Sequence, residues 1–231
     1  MYKLETNRDR ILKITDKNKQ ARIAKIESCI TKSYEVQVAK PGDFPTSSDI
    51  TNIIIPAKNQ KDKIAIMAHH DVFPDSCGYN DNSTGVVTLL KLQNYLPDNF
   101  ELVFTDGEER GGQGCRYYLE NCILPKQAIN IDVVGLEGKI FYEMYGKTTF
   151  NIPKTLEYYE NIPFSDSYIL DNYGIPNILM LTGKNKETLI RDIFNAQHCG
   201  KYDRSLNLIS EDTMDRVADT LLTLIDTWRG A

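Results

Sequence analysis

Short apolar runs separated by longer mixed segments set the rhythm of this chain. Tyr34 to Val38, Asn52 to Ile55, Ile64 to His69, Glu101 to Thr105, Ala128 to Val134 and Ile178 to Leu181 are apolar or rich in β-branched residues. Each has the length of a strand and little polar alternation, so the pattern predicts strands buried on both faces. Between them the period is helical. Ser83 to Leu96 carries Val86, Val87, Leu89, Leu90 and Leu92, and it opens on Ser83 and Thr84, small polar residues suited to a helix N-terminus. Gly114 to Asn121 predicts another helix. In Ser210 to Trp228, Ser210 suits the N-cap, Glu211 and Asp212 suit the positive end of the helix dipole, and Val217, Leu221, Leu224 and Ile225 form one apolar stripe. Near the N-terminus Ile11, Ile14, Ile23, Ile26 and Ile30 keep a weaker helical spacing, interrupted at Asp16-Lys17-Asn18, which predicts one or two amphipathic helices.

Alternation of this kind predicts an α/β fold: a mixed, largely parallel central sheet with helices on both faces. In such sheets, sites gather in the loops beyond the carboxyl ends of the strands. With 231 residues, 41% of them hydrophobic, the chain has enough material for one full core and no second domain, so residues 1–231 are expected to form a single unit. A net charge of -5 argues against general nucleic-acid binding, which depends on clustered Lys and Arg neutralising phosphates. The five cysteines, Cys29, Cys77, Cys115, Cys122 and Cys199, are odd in number and lack CxxC spacing, so neither a disulfide framework nor a cysteine-zinc knot is expected. The charged start, Met1 to Arg10, has no apolar leader core, and no stretch approaches the roughly 20 apolar residues of a membrane span. The expectation is a cytoplasmic protein with neither a membrane nor a nucleic-acid partner.

Five segments carry candidate chemistry. In a strand His69 and Asp71 share a side while His70 points away, so His69 is the candidate ligand and Asp71 the acceptor for its other ring nitrogen. Gly78-Tyr79-Asn80-Asp81-Asn82 resembles a turn, yet Asp81 directly precedes a helix shortly after His69, where a carboxylate could bridge two cations. Glu108 and Glu109 are adjacent carboxylates in a strand-end loop, costly unless cations or separate environments compensate; one is expected to bind metal and the other to carry protons. Asp132 interrupts the apolar run Ile129 to Val134 and is a poor core residue unless paired or metal-bound. His198 is one of three histidines, the other two lying in the first segment. Together these residues supply what a two-metal centre requires: a bridging carboxylate, further oxygen and nitrogen ligands on each metal, and a free carboxylate for proton transfer.

In this order the segments resemble the co-catalytic dizinc aminopeptidases. That metallopeptidase family includes the secreted bacterial leucyl aminopeptidases and, more distantly, glutamate carboxypeptidase and glutaminyl cyclase. The resemblance runs from about Tyr34 to the C-terminus and includes Phe164-Ser165-Asp166-Ser167 and Tyr173-Gly174-Ile175-Pro176. It implies a zinc exopeptidase-like fold, two zinc ions per chain and peptide substrates with a free N-terminus. His69 and Asp132 would bind one zinc and Glu109 and His198 the other, with Asp81 bridging them. Glu108 would be the general base, Asp71 would fix the tautomer of His69, and the Asp81-Asn82 peptide would be cis. The chain departs from the pattern at Ser167, where relatives often have His, and at Gln197, where they often have Tyr. Asp203 also stands five residues after His198, where relatives have an Asp at four. Tyr168 or Tyr202 is the candidate to take over the missing tyrosine's contact with the scissile carbonyl. Glutaminyl cyclases share the fold and carboxylates but generally work with a single zinc, so a complete dizinc set favours the aminopeptidase.

Overall fold

A computed structural model describes residues 5–42, 49–198 and 200–228. Two helices, α1 (Asn7–Ile14) and α2 (Lys19–Glu27), precede strands β1 (Glu35–Ala39), β2 (Ile50–Ile55) and β3 (Ile64–His69). There follow α3 (Ser83–Leu92), β4 (Phe100–Thr105), α4 (Gln113–Glu120), β5 (Gln127–Ile131), β6 (Lys139–Tyr145) and β7 (Glu157–Tyr158). The chain closes with α5 (Asp166–Asn172), β8 (Asn177–Gly183), α6 (Leu189–Ala196) and α7 (Glu211–Trp228).

The strands form one eight-stranded sheet in the order β1-β2-β4-β3-β5-β8-β6-β7. Its central run, β4-β3-β5-β8, is parallel. Antiparallel pairs flank it, β1 on β2, β2 on β4 and β6 on β8, while β7 pairs parallel with β6. Alternating side chains of the central strands feed two cores. Ile64, Ile66 and Ala68 face α1, α2, α3 and α7, packing with Ile14, Ile26, Val86, Leu89 and Leu221. Ala65 and Met67 face α4 and α5, where Cys115, Tyr118, Ile169 and Leu170 meet them. A smaller cluster under α6 joins Leu189 and Ile193 to Leu179, Leu181 and Phe141. Each fully buried Leu or Ile contributes roughly 1.5–3 kcal/mol, so both layers are needed to hold the central strands in register.

The sheet departs from the sequence pattern at its margins. β1, expected to be buried, is an edge strand with Val36 and Val38 exposed. α3 ends at Leu92 rather than Leu96, and the Gln93 side chain accepts the Thr31 N–H (2.7 Å), tying the helix end to the segment after α2. β5 stops at Ile131 rather than Val134: Asp132 N–H still bonds to Met180 O (3.0 Å), but Val133 has φ +50° and turns the chain away. That left-handed region is uncommon for a β-branched residue. β6, β7, α5 and α6 were not expected. Among the described residues the cysteines Cys29, Cys77, Cys115 and Cys122 are free, and Cys199 lies outside them. No helix among those residues is long and apolar enough to cross a membrane.

Candidate metal centre

Strands β3, β4 and β5 end side by side at His69, Thr105 and Ile131, and the loops that leave them carry most of the candidate residues. Register places His69 opposite Thr105, so the segments Asp106 to Glu109 and His69 to Asp71 leave the sheet together. Asp71 joins them: its Oδ1 accepts the Glu108 N–H (3.1 Å) and its Oδ2 the Glu109 N–H (3.3 Å). Gly107, at φ +74°, makes the turn into Glu108, and a Cβ there would lie 3.1 Å from Ile50 and from the Arg110 guanidinium. The Asp81 loop is held from two sides. Asn82 caps α3 by accepting the Gly85 N–H (3.0 Å) and donates to Ile131 O (2.9 Å), fixing the helix to the end of β5. Asp203 accepts the N–H groups of Gly78 (3.2 Å), Asn80 (3.0 Å) and Asp81 (3.0 Å) together with the Ser76 hydroxyl. The Asp81-Asn82 peptide is cis.

Among the described residues two groups of side chains converge closely enough to hold a metal ion. In each of them, His69/Asp81/Asp132 and Asp81/Glu109/His198, the candidate ligand atoms lie within 4.8 Å of one another, and Asp81 belongs to both. In the first group His69 Nε2 lies 3.0 Å from Asp81 Oδ1 and 3.5 Å from Asp132 Oδ1. Its Nδ1 faces Asp71, 3.2 Å from the backbone carbonyl and 3.5 Å from Oδ1. His70 turns elsewhere, with Nε2 2.8 Å from Thr51 O. In the second group His198 Nε2 lies 2.9 Å from Glu109 Oε2, and the imidazole stacks on Phe73 with centroids 4.5 Å apart. His198 itself has φ +46°. Glu108 is 8% exposed and belongs to neither group.

The electrostatics are those of a site short of positive charge. Burial, reinforced by Asp81, pushes Glu109 up to about 9. Burial raises Glu108 well above the ordinary glutamate range against the pull of His69, and it also raises Asp81. Burial would favour a neutral His69, yet Asp132, Asp71 and Asp81 overcome it and raise that imidazole well above the usual histidine value. Asp71 is the exception: His69 outweighs burial and holds it at about 2. Two buried oxygens, Glu109 Oε1 and Asp132 Oδ1, have no hydrogen-bond partner. Such oxygens are costly when left unpaired. A mixed set of imidazole nitrogens and carboxylate oxygens with unpaired buried members suits zinc, and the set fits two cations sharing Asp81.

Five candidate residues, His69, Asp81, Glu109, Asp132 and His198, thus converge at the carboxyl end of the parallel strands, while Asp71 lies against His69 and holds the backbone of Glu108 and Glu109. Two further carboxylates had no assigned role in the sequence reading. Asp203 holds the Asp81 loop, and burial raises it to about 6. Asp166, at the start of α5, accepts the Thr105 hydroxyl at 2.6 Å, and burial lifts it to about 7 despite that bond. Beside Asp132, the residues Val133, Phe164, Leu179, Ile193 and Gln197 line a narrow crevice of about 10 Å³, room for roughly one water. Tyr168 leans on Phe164 at its rim, with centroids 5.8 Å apart, whereas Tyr202 packs against Val133, Leu136 and Ala196.

Residues 52–225 match the model of the family described as peptidase family M28. No curated protein sequence matches the chain. The solved structure of a zinc aminopeptidase from Bacillus subtilis superposes with a TM-score of 0.63 at 20% identity, covering 77% of this chain and 49% of that one. The chain therefore spans about half that enzyme's length. Glutaminyl cyclase from Porphyromonas gingivalis superposes at 0.71 and 19% identity, covering 96% of each chain. A leucine aminopeptidase precursor from Bacteroides thetaiotaomicron does so at 0.67 and 18%, covering 95% of this chain and 94% of that one. At these identities the likeness shows a shared fold.

Proposed function

Because the chain belongs to peptidase family M28, we propose that it is a zinc-dependent aminopeptidase that removes N-terminal residues from peptides. One observation carries this reading: two ligand groups share Asp81, and a buried carboxylate, Glu108, stands outside both. When bound, two zinc ions would polarise the scissile carbonyl and acidify the attacking water. Glu108 takes the proton of that water and returns it to the leaving amine, work that needs a carboxylate near the water with its oxygens free of metal. Asp71 sets the position of Glu108 through the backbone N–H it accepts and keeps Nδ1 of His69 turned away from the ligand side.

A glutaminyl cyclase is the second reading, favoured by the end-to-end match with the Porphyromonas gingivalis enzyme. Chain length does not decide between the two, because the Bacteroides thetaiotaomicron aminopeptidase precursor matches over nearly the same extent. The complete His69/Asp132 group favours the aminopeptidase. The zinc-loaded protein can be incubated with a leucine-first peptide, its N-acetyl counterpart and a glutamine-first peptide, with products read by mass spectrometry. Leucine should be released from the first, and acetylation should slow release at least ~10-fold, because a charge-assisted contact worth roughly 1.5–3 kcal/mol is lost. Loss of ammonia from the glutamine-first peptide, with the leucine-first peptide intact, would establish the cyclase instead.

A further inference from the structure

Arg22 lies on α2, outside the residues 52–225 matched by the family, and its guanidinium runs beneath the metal centre. It is 2% exposed; among the described residues Lys63 is the only other lysine or arginine so buried, and Lys63 is engaged at the opposite end of β4 with Glu101. Arg22 Nε donates to His70 O at 2.6 Å, and one terminal nitrogen donates to Ser83 Oγ at 2.9 Å. The other terminal nitrogen, Nη1, makes no hydrogen bond, so two contacts fix the group. Those contacts fall on the two segments that must meet to form a metal site: His70 separates His69 from Asp71, and Ser83 follows Asp81-Asn82. The acids whose charges Arg22 feels are Asp71, Asp203, Asp16 and Asp81, three of them in or around the site. Burial opposes the charge and brings the guanidinium down to about 10, still protonated at neutral pH. The cations one turn away on the helix are engaged elsewhere, Lys19 with Asp106 and Lys25 with Asp16.

We propose that Arg22 is a positioning residue with two separable effects: its charge offsets the carboxylate cluster before metal binds, and its fork sets the spacing between the His69 and Asp81 segments. This rests on the metal-centre reading, but its first effect is independent of what reaction the centre performs. In the metal-free protein Arg22 is a buried positive charge beside these acids; bound zinc would supply positive charge in its place. A neutral residue at position 22 must therefore harm the metal-free protein more than the loaded one.

The test compares wild type, Arg22→Met and Arg22→Lys by thermal unfolding, first with chelator and then with saturating zinc, followed by kcat and KM on a leucine-first peptide. Arg22→Met should lower the metal-free melting temperature by about 10 °C, the scale of an unpaired buried charge cluster in a chain of this size, and the zinc-loaded value by less than half of that. Arg22→Lys keeps the charge and can make only one of the two contacts. It should recover most of the metal-free stability, yet lower kcat several-fold with little change in KM. Equal losses with and without zinc, or an Arg22→Met protein that stays unfolded with zinc present, would overturn the charge role. Wild-type kcat in Arg22→Lys would overturn the spacing role. If no variant or wild type cleaves any peptide, the aminopeptidase reading fails while the melting comparison still decides the charge role.

Discussion

Replacing Glu108 with glutamine is expected to lower kcat by about 10³-fold while the protein still binds its full complement of zinc, since positioned acid-base groups contribute 10²–10⁴-fold. The amide preserves the shape of the side chain and its backbone bond to Asp71, but it cannot accept a proton from water. The geometry makes the outcome specific, because Glu108 stands outside both ligand groups whereas its neighbour Glu109 lies 2.9 Å from His198 and belongs to one of them. Glu109→Ala should therefore lose metal together with rate. Steady-state kinetics alongside elemental analysis separates the two variants. A Glu108→Gln protein that loses metal, or a Glu109→Ala protein that keeps it all, would reverse the assignment of the pair.

Removing the metal should make the protein's stability fall as pH rises. Burial holds Asp203 at about 6, Asp166 at about 7 and Glu109 at about 9, all above the ordinary carboxylate range. From about pH 4 upward the metal-free folded chain thus keeps protons that the unfolded chain has released, and stability declines as pH climbs through those values. His69 acts in the same direction: raised above its usual value, its contribution is complete below about pH 6.5 and is lost as pH rises through the folded value. Asp71, at about 2, has the opposite sign and matters only below about pH 4. Zinc replaces these protons, so its stabilisation should grow with pH. Melting curves with chelator are expected to fall between pH 6 and pH 8, and saturating zinc should add about 10 °C at pH 8, the effect of ligand near a thousand times its Kd on a chain of this length. Equal melting temperatures at both pH values after verified zinc removal would show that these carboxylates do not face one another as described.

Much of the site could be read from the sequence because its ligands sit where apolar strands stop. β3 runs from Ile64 to His69 as expected, and the polar His69-His70-Asp71 marks its carboxyl end directly. β5 was harder to delimit: Val133 and Val134 have strand propensity, but a left-handed Val133 turns the chain immediately after Asp132, and propensity does not reveal that turn. β6 could have been found, since Lys139 to Tyr145 is β-branched and aromatic between Gly138 and Gly146, as could α6, with Leu189, Ile193 and Ala196 on one buried face. Asp203 was marked only by its place near His198 in the resemblance, and Arg22 carried no signal at all. An aspartate in a polar loop and an arginine among helical charges look like solvent-facing residues. Only the fold shows that one accepts three backbone N–H groups of the Asp81 loop and that the other lies buried under His70.

Anomalous diffraction at the zinc edge, from crystals of the zinc-loaded protein, would show whether two metal ions share Asp81. The expected map holds two peaks per chain, one contacted by His69 and Asp132, the other by Glu109 and His198, with Asp81 touching both. A single peak, or two peaks that Asp81 does not join, would contradict a dizinc centre with a shared carboxylate.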